Sequence, residues 1–99
     1  MSKEIKLIVL IEVHPGKSDE QINLYKRIRP LVLKEEGCLE YELRRVAGSD
    51  EKFVLSECWA SEEALAAPDE SPHMKEADTV SPSFRARPAT VLELSEIAV

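Results

Sequence analysis

Apolar residues alternate from Ile5 to Val13, with Ile5, Leu7, Val9, Ile11 and Val13 on one face. This period of two predicts a strand. Its other face carries Lys6, Ile8, Leu10 and Glu12, so its middle is apolar as well. A strand apolar on both faces is covered on both. The helices of one chain can cover one side, and a second subunit is the candidate for the other. The pattern then changes period. Ile22, Tyr25, Ile28 and Val32 recur at three- and four-residue spacing and predict a helix after the "HPGK" turn. Ser18 is the expected N-cap, with Gln21 as its capping-box partner. Gly37 is the expected C-terminal stop. Pro30 falls inside this helix and predicts a kink rather than two helices.

Alternation returns from Leu39 to Val46, with Leu39, Tyr41 and Leu43 inward. The "AGSDE" turn and a strand over Lys52 to Trp59 complete an antiparallel hairpin. Ser61 caps a short helix through "EEALAA", and Pro68 stops it. Ser71 caps a second piece, with Pro72 in its first turn, running to about Thr79. "SPSFRARP" is a loop, and Thr90 to Ile97 forms the last strand. The order is β-α-β-β-α-β. It predicts an α+β fold, ferredoxin-like, with a four-stranded antiparallel sheet and the helices on one face. The fold alone assigns no function.

Composition narrows the classes. The 99 residues fit one domain spanning residues 1–99. A net charge of -6 opposes sequence-independent binding of nucleic acid. No apolar run reaches the roughly 20 residues of a membrane span. The apolar N-terminal run lacks a small-residue cleavage site and reads as a strand, not a signal peptide. Two cysteines, Cys38 and Cys58, make no disulfide framework, so a cytoplasmic protein with free thiols is expected. No metal-ligand spacing, phosphate loop or dinucleotide fingerprint occurs, and no cofactor is expected from the residues.

Two segments resemble a known family. They are "VHPGKSDEQINLYKRIRPLVLKEEGCLEYEL" and "FVLSECWASEEALAAPDESPH". The strand ending in "PGK", the "EEGCLEYEL" after the helix, and the Glu-x-Trp motif followed by "EEAL" and "SPH" resemble antibiotic biosynthesis monooxygenase domains of the quinol monooxygenase type. The resemblance implies a dimeric ferredoxin-like fold, a dimeric α/β barrel in which two subunits pack sheet against sheet. It implies oxidation of phenolic or quinol substrates by O₂ without metal or flavin. Other relatives degrade haem or isomerise a small phosphorylated sugar. The family often has His where this chain has Pro68. The haem-degrading branch uses an Asn in the first strand, and none lies between Ile5 and Val13.

That chemistry asks for a base, an apolar ring pocket and a donor for the developing oxyanion. His73 is the base candidate, because imidazole titrates near neutrality; otherwise it is a half-exposed helix residue. His14, in the turn, reads as solvent-exposed. Glu57 shares an inward strand face with Phe53, Leu55 and Trp59. A carboxylate there is catalytic, or it is paired with an arginine such as Arg44 or Arg85, or bonded across a dimer. Tyr41 is the donor candidate, or a cross-strand packing residue. Trp59 and Phe53 are candidates for the ring wall, or plain core. Phe84, Arg85 and Arg87 lie in the loop before the last strand; they form a lid whose arginine holds an anionic substrate, or an ordinary solvated loop. Two competing readings stand beside a monooxygenase. One is a dimer that binds a small metabolite without turning it over. The other is an isomerase of a small carbonyl compound.

Overall fold

The computed structural model describes residues 4–66 and 71–98. Strand β1 (Ile5–Glu12) leads into helix α1 (Ser18–Leu33), and the hairpin of β2 (Cys38–Arg45) and β3 (Lys52–Trp59) follows. Helices α2 (Glu62–Ala66) and α3 (Pro72–Val80), a 3-10 turn (Ser81–Ser83) and β4 (Thr90–Leu94) complete the chain. The four strands form one antiparallel sheet in the order β2-β3-β1-β4. This is the expected ferredoxin-like α+β arrangement. Pro68, expected to stop the first of these two helices, lies outside the described residues.

The alternation in β1 sets the core. Ile5, Leu7, Val9, Ile11 and Val13 are all buried. They meet Leu24, Ile28 and Val32 of α1 together with Tyr41, Phe53, Leu55, Trp59, Ala77 and Phe84. The opposite sheet face is bare in the single chain. Leu10 (43% exposed), Leu92 (44%) and Leu94 (49%) lie there, with Ile8 and Val54 half-buried between them.

Several local expectations are corrected. The buried stripe of α1 is Gln21, Leu24, Ile28 and Val32, with Ile22 and Tyr25 only partly buried. Ser18 is the first helical residue rather than the cap. Its hydroxyl donates to the Asp50 carbonyl and ties the helix start to the β2–β3 turn. A bulge between Cys38 and Glu40 shifts the register of β2. Cys38 therefore packs against the core and Leu39 is left exposed. Finally, β4 ends at Leu94, short of Ile97.

α1 runs as one helix through Pro30, not as two. Ser61 Oγ accepts from the Ala64 N–H at 3.1 Å, capping α2. Ser71 and Pro72 open α3, although the Ser71 hydroxyl contacts the His73 ring instead of the backbone. Gly37 is not the stop of α1, which ends at Leu33 with Lys34 as its C-cap; it turns the chain into β2 at φ 84°, and its carbonyl accepts from Ala60 N–H at 2.8 Å. Arg29 covers the open edge of β2. Its Nε donates to the Tyr41 carbonyl, and its guanidinium pairs with Glu42.

Candidate active site between the sheet and the helices

Cross-strand register places one polar row in the apolar inner face. Tyr41 on β2 faces Glu57 on β3, Glu57 faces Leu7 on β1, and Leu7 faces Glu93 on β4. The adjacent row is Leu43, Leu55, Val9 and Val91, wholly apolar. Two cavities lie under the helices against these rows. One, of about 510 Å³, is walled by Leu7, Val32, Trp59 and Leu65. The other, of about 190 Å³, reaches Gln21, Leu24, Ile28, Asp78, Ser81 and Arg85. Val9, Tyr41, Glu57, Met74 and Val91 border both. The two spaces therefore adjoin as one cleft region, with a more apolar part, a more polar part, and Tyr41 and Glu57 among the side chains they share. A larger open groove of about 780 Å³ lies outside, by α2 and the C-terminal residues. Its lining includes Glu4, Glu62, Glu63, Glu93 and Glu96, and this charge repels anions.

Each polar group at the junction has a defined state. The Trp59 indole N–H donates to Glu57 Oε1 at 3.0 Å. Both side chains lie on one strand face two residues apart, so the sequence dictates this meeting. The indole is thus one partner of Glu57. Tyr41 is 4% exposed, and its ring stacks on Tyr25 at 6.1 Å between centroids. Burial pushes the Tyr41 phenol pKa up, reinforced by the Glu57 charge and opposed by Arg85. Tyr41 therefore keeps its proton at neutral pH and acts as a donor, not as a base. Arg85 is half-buried and donates from Nε to Gln21 Oε1 at 3.1 Å. Burial lowers the Arg85 pKa from its ordinary value, partly offset by the Tyr41 and Asp78 charges.

The structure brings Glu57, Tyr41, Trp59 and Arg85 to the cleft and leaves the other candidates outside it. His73 lines neither cavity. Its Nε2 lies 3.3 Å from Glu35 Oε1 and 3.2 Å from Ser71 Oγ, so the ring fastens the start of α3 to the residues after α1. Phe53 is 2% exposed beneath the Arg45 guanidinium, 5.3 Å away, and is core rather than cavity wall. Phe84 is 3% exposed and packs in the core, with its carbonyl accepting from His14 N–H at 2.9 Å. The loop before β4 is thus anchored at Phe84, not loosely solvated. Arg87 lies outside the cleft and pairs with Glu12 at 3.1 Å. Cys58 lies on the bare sheet face, where burial raises its pKa above the ordinary thiol value. Gln21, Met74 and Ser81 were not picked out from the sequence as site residues. Gln21 carried one usable signal, a polar residue in step with Leu24, Ile28 and Val32. Among the described residues no group of three or more His, Cys, Asp or Glu is arranged to hold a metal ion. No described helix is long and apolar enough to cross a membrane.

The family model described as antibiotic biosynthesis monooxygenase matches residues 5–79. The chain belongs to the antibiotic biosynthesis monooxygenase family. The match contains the whole Tyr41–Glu57–Trp59 constellation and ends before Arg85. No curated protein matches the chain. Several solved structures share its fold. A protein of Pseudomonas aeruginosa is 21% identical with a TM-score of 0.89, covering 99% of this chain and 98% of its own. A conserved protein of Methanosarcina mazei Go1 is 26% identical with a TM-score of 0.88, covering 95% and 93%. A candidate antibiotic biosynthesis monooxygenase of Caulobacter crescentus CB15 is 22% identical with a TM-score of 0.89, covering 98% and 92%.

Proposed function

We propose that this member of the antibiotic biosynthesis monooxygenase family oxidises a small phenolic or quinol-type substrate with O₂, using no metal or flavin. The observation that carries the proposal is the junction of the cleft. Glu57 and Tyr41 stand opposite each other there, beside an apolar space walled by Trp59. O₂ is a triplet and reacts slowly with closed-shell molecules. A phenolate overcomes this by giving up one electron. Glu57 takes the phenolic proton as general base. The Tyr41 hydroxyl donates to the phenolate oxygen and holds its charge in a site with little water. Superoxide and the substrate radical then combine at carbon, and the hydroperoxide loses water. For a quinol the balance is quinol plus O₂ giving hydroxyquinone plus water. The substrate supplies every electron, so no external reductant enters.

The protein acts as a homodimer in this reading. The bare face of Ile8, Leu10, Val54, Leu92 and Leu94 packs on its copy, back to back with the two clefts. Free thiols at Cys38 and Cys58 suit the reducing cytoplasm. No role falls to nucleic acid or membrane.

Oxygen uptake by chelator-treated protein with a panel of hydroquinones tests the proposal. Uptake above the protein-free rate is expected with at least one of them, reduced about 100-fold or more in Glu57→Gln. No uptake with any quinol would overturn it. One observation favours a second reading, a dimer that binds the same ligands without turnover. The His73 ring is held by Glu35 and supplies no base to the cleft. Ligand-induced thermal stabilisation without product would point to that reading.

A further inference from the structure

Arg85 is the cation on the described lining of the cleft, and no carboxylate there pairs with it directly, although the Asp78 charge acts on it from α3. Its guanidinium is half-buried against the smaller cavity. Its partner is neutral, the Gln21 amide oxygen at 3.1 Å. Among the described residues no carboxylate forms an ion pair with it, and its terminal nitrogens make no hydrogen bond. Gln21 is itself 3% exposed, so the pair is built into the fold rather than draped on its surface. Burying a cation without a directly paired counter-charge is costly, and burial lowers the Arg85 pKa while the Asp78 charge only partly offsets it. The expense is sensible if a ligand brings the missing charge.

The surroundings define that ligand. The Arg85 Nε is used by Gln21, so the two terminal nitrogens form a planar fork. A carboxylate fits such a fork with two parallel bonds. Ser81, 6% exposed, borders the same space, and no described residue hydrogen-bonds its hydroxyl. Asp78 also borders it from α3, where its negative charge opposes a dianion more than a monoanion. The remaining lining, including Val9, Ile11, Leu24, Ile28 and Leu55, is apolar. The cavity of about 190 Å³ adjoins the space beside Trp59, and Tyr41 and Glu57 line both.

We propose that the natural ligand is a monoanionic aromatic hydroxy acid, whose carboxylate is held by Arg85 and Ser81 while its ring lies against Trp59. Its phenolic hydroxyl then stands at Glu57 and Tyr41. The inference rests on the proposed function for the fate of that hydroxyl, and on Arg85 alone for the carboxylate. Arg85 is therefore a specificity residue and takes no part in electron transfer.

Anaerobic calorimetric titration separates the two. Wild-type protein is titrated with gentisate, a hydroquinone carrying a carboxylate, and with gentisamide, its neutral isostere. Gentisate should bind about tenfold tighter or more, the scale of a charge-assisted pair. Arg85→Gln should abolish this preference, and Arg85→Lys should retain part of it. Equal affinity for acid and amide, no detectable gentisate binding at millimolar concentration, or a preference that survives in Arg85→Gln would overturn the inference. The wild-type comparison stands even if the variants fold poorly. Because O₂ is absent, an inactive enzyme that prefers the acid sinks only the proposed function. An active enzyme indifferent to the carboxylate sinks only this inference.

Discussion

Replacing Gly37 by Ala tests how the fold holds the Trp59 end of the cleft. Gly37 lies between α1 and β2 at φ 84°, in the left-handed region. An L-residue costs about 1–2 kcal/mol there. A Cβ at Gly37 would lie 2.4 Å from the Ala64 Cβ on α2, far inside contact distance. Relieving such overpacking costs typically about 1–3 kcal/mol. The sum is roughly 2–5 kcal/mol, a large share of the roughly 5–15 kcal/mol that holds a domain together. Urea unfolding followed by the fluorescence of Trp59, the chain's only tryptophan, measures it. The double variant Gly37→Ala with Ala64→Gly removes the clash and keeps the backbone strain. Against the two single variants it should show a favourable coupling of about 1–3 kcal/mol. A single-variant loss below about 0.5 kcal/mol, within the range of ordinary surface changes, would refute the reasoning. So would a double variant with no coupling.

Three further outcomes are expected. Glu42 has its pKa lowered from 4.5, chiefly by the hydrogen bond from Arg29. The stabilisation this gives is present above the unfolded value and lost as pH falls through the folded one. The stability gap between wild type and Glu42→Gln should therefore be flat near neutrality and close below about pH 4; a gap that widens in acid would contradict the pairing. Leu10 and Leu92 each retain about two-fifths of their exposure on the bare face, so a face-to-face dimer gains roughly 1 kcal/mol from each, four times over. Leu10→Lys with Leu92→Lys should sediment as a monomer at concentrations where wild type is a dimer. Trp59 walls the larger cavity, so phenolic ligands should quench its fluorescence saturably. Quenching that is linear in ligand up to millimolar concentration would show that nothing binds beside the ring.

Much of the architecture is legible because β1, β2 and β3 alternate with period two, and that period fixes which side chains share a face. Glu57 and Trp59 had to meet, as residues two apart on one strand. Tyr41 could be placed on the inner face, and its register opposite Glu57 runs unbroken from the β2–β3 turn, but the pairing of Cys38 and Leu39 depends on the bulge before Glu40. A bulge moves every side chain before it by one position, and local sequence carries no clear mark of it. The α1 face was misread for a related reason. Tyr25 and Ile22 are more hydrophobic than Gln21, yet Gln21 is the residue buried. Its burial makes sense only with Arg85, 64 residues away. His73 has the right chemistry for a base, but a nearby carboxylate on another element claims its ring. Phe84 reads as loop by its neighbours, and only the return of the chain beside Val13 buries it. Short-range pattern thus reports faces, while long-range pairing decides which polar group enters the cleft.

The most direct measurement is the fate of the oxygen atoms. Chelator-treated protein is given a hydroquinone under isotopically labelled O₂, and the product is weighed by mass spectrometry. Wild type should put one labelled atom into the quinone ring and send the other to water, and Glu57→Gln should lose that incorporation. Product without label, hydrogen peroxide formed in step with substrate loss, or equal labelling by Glu57→Gln would contradict the account.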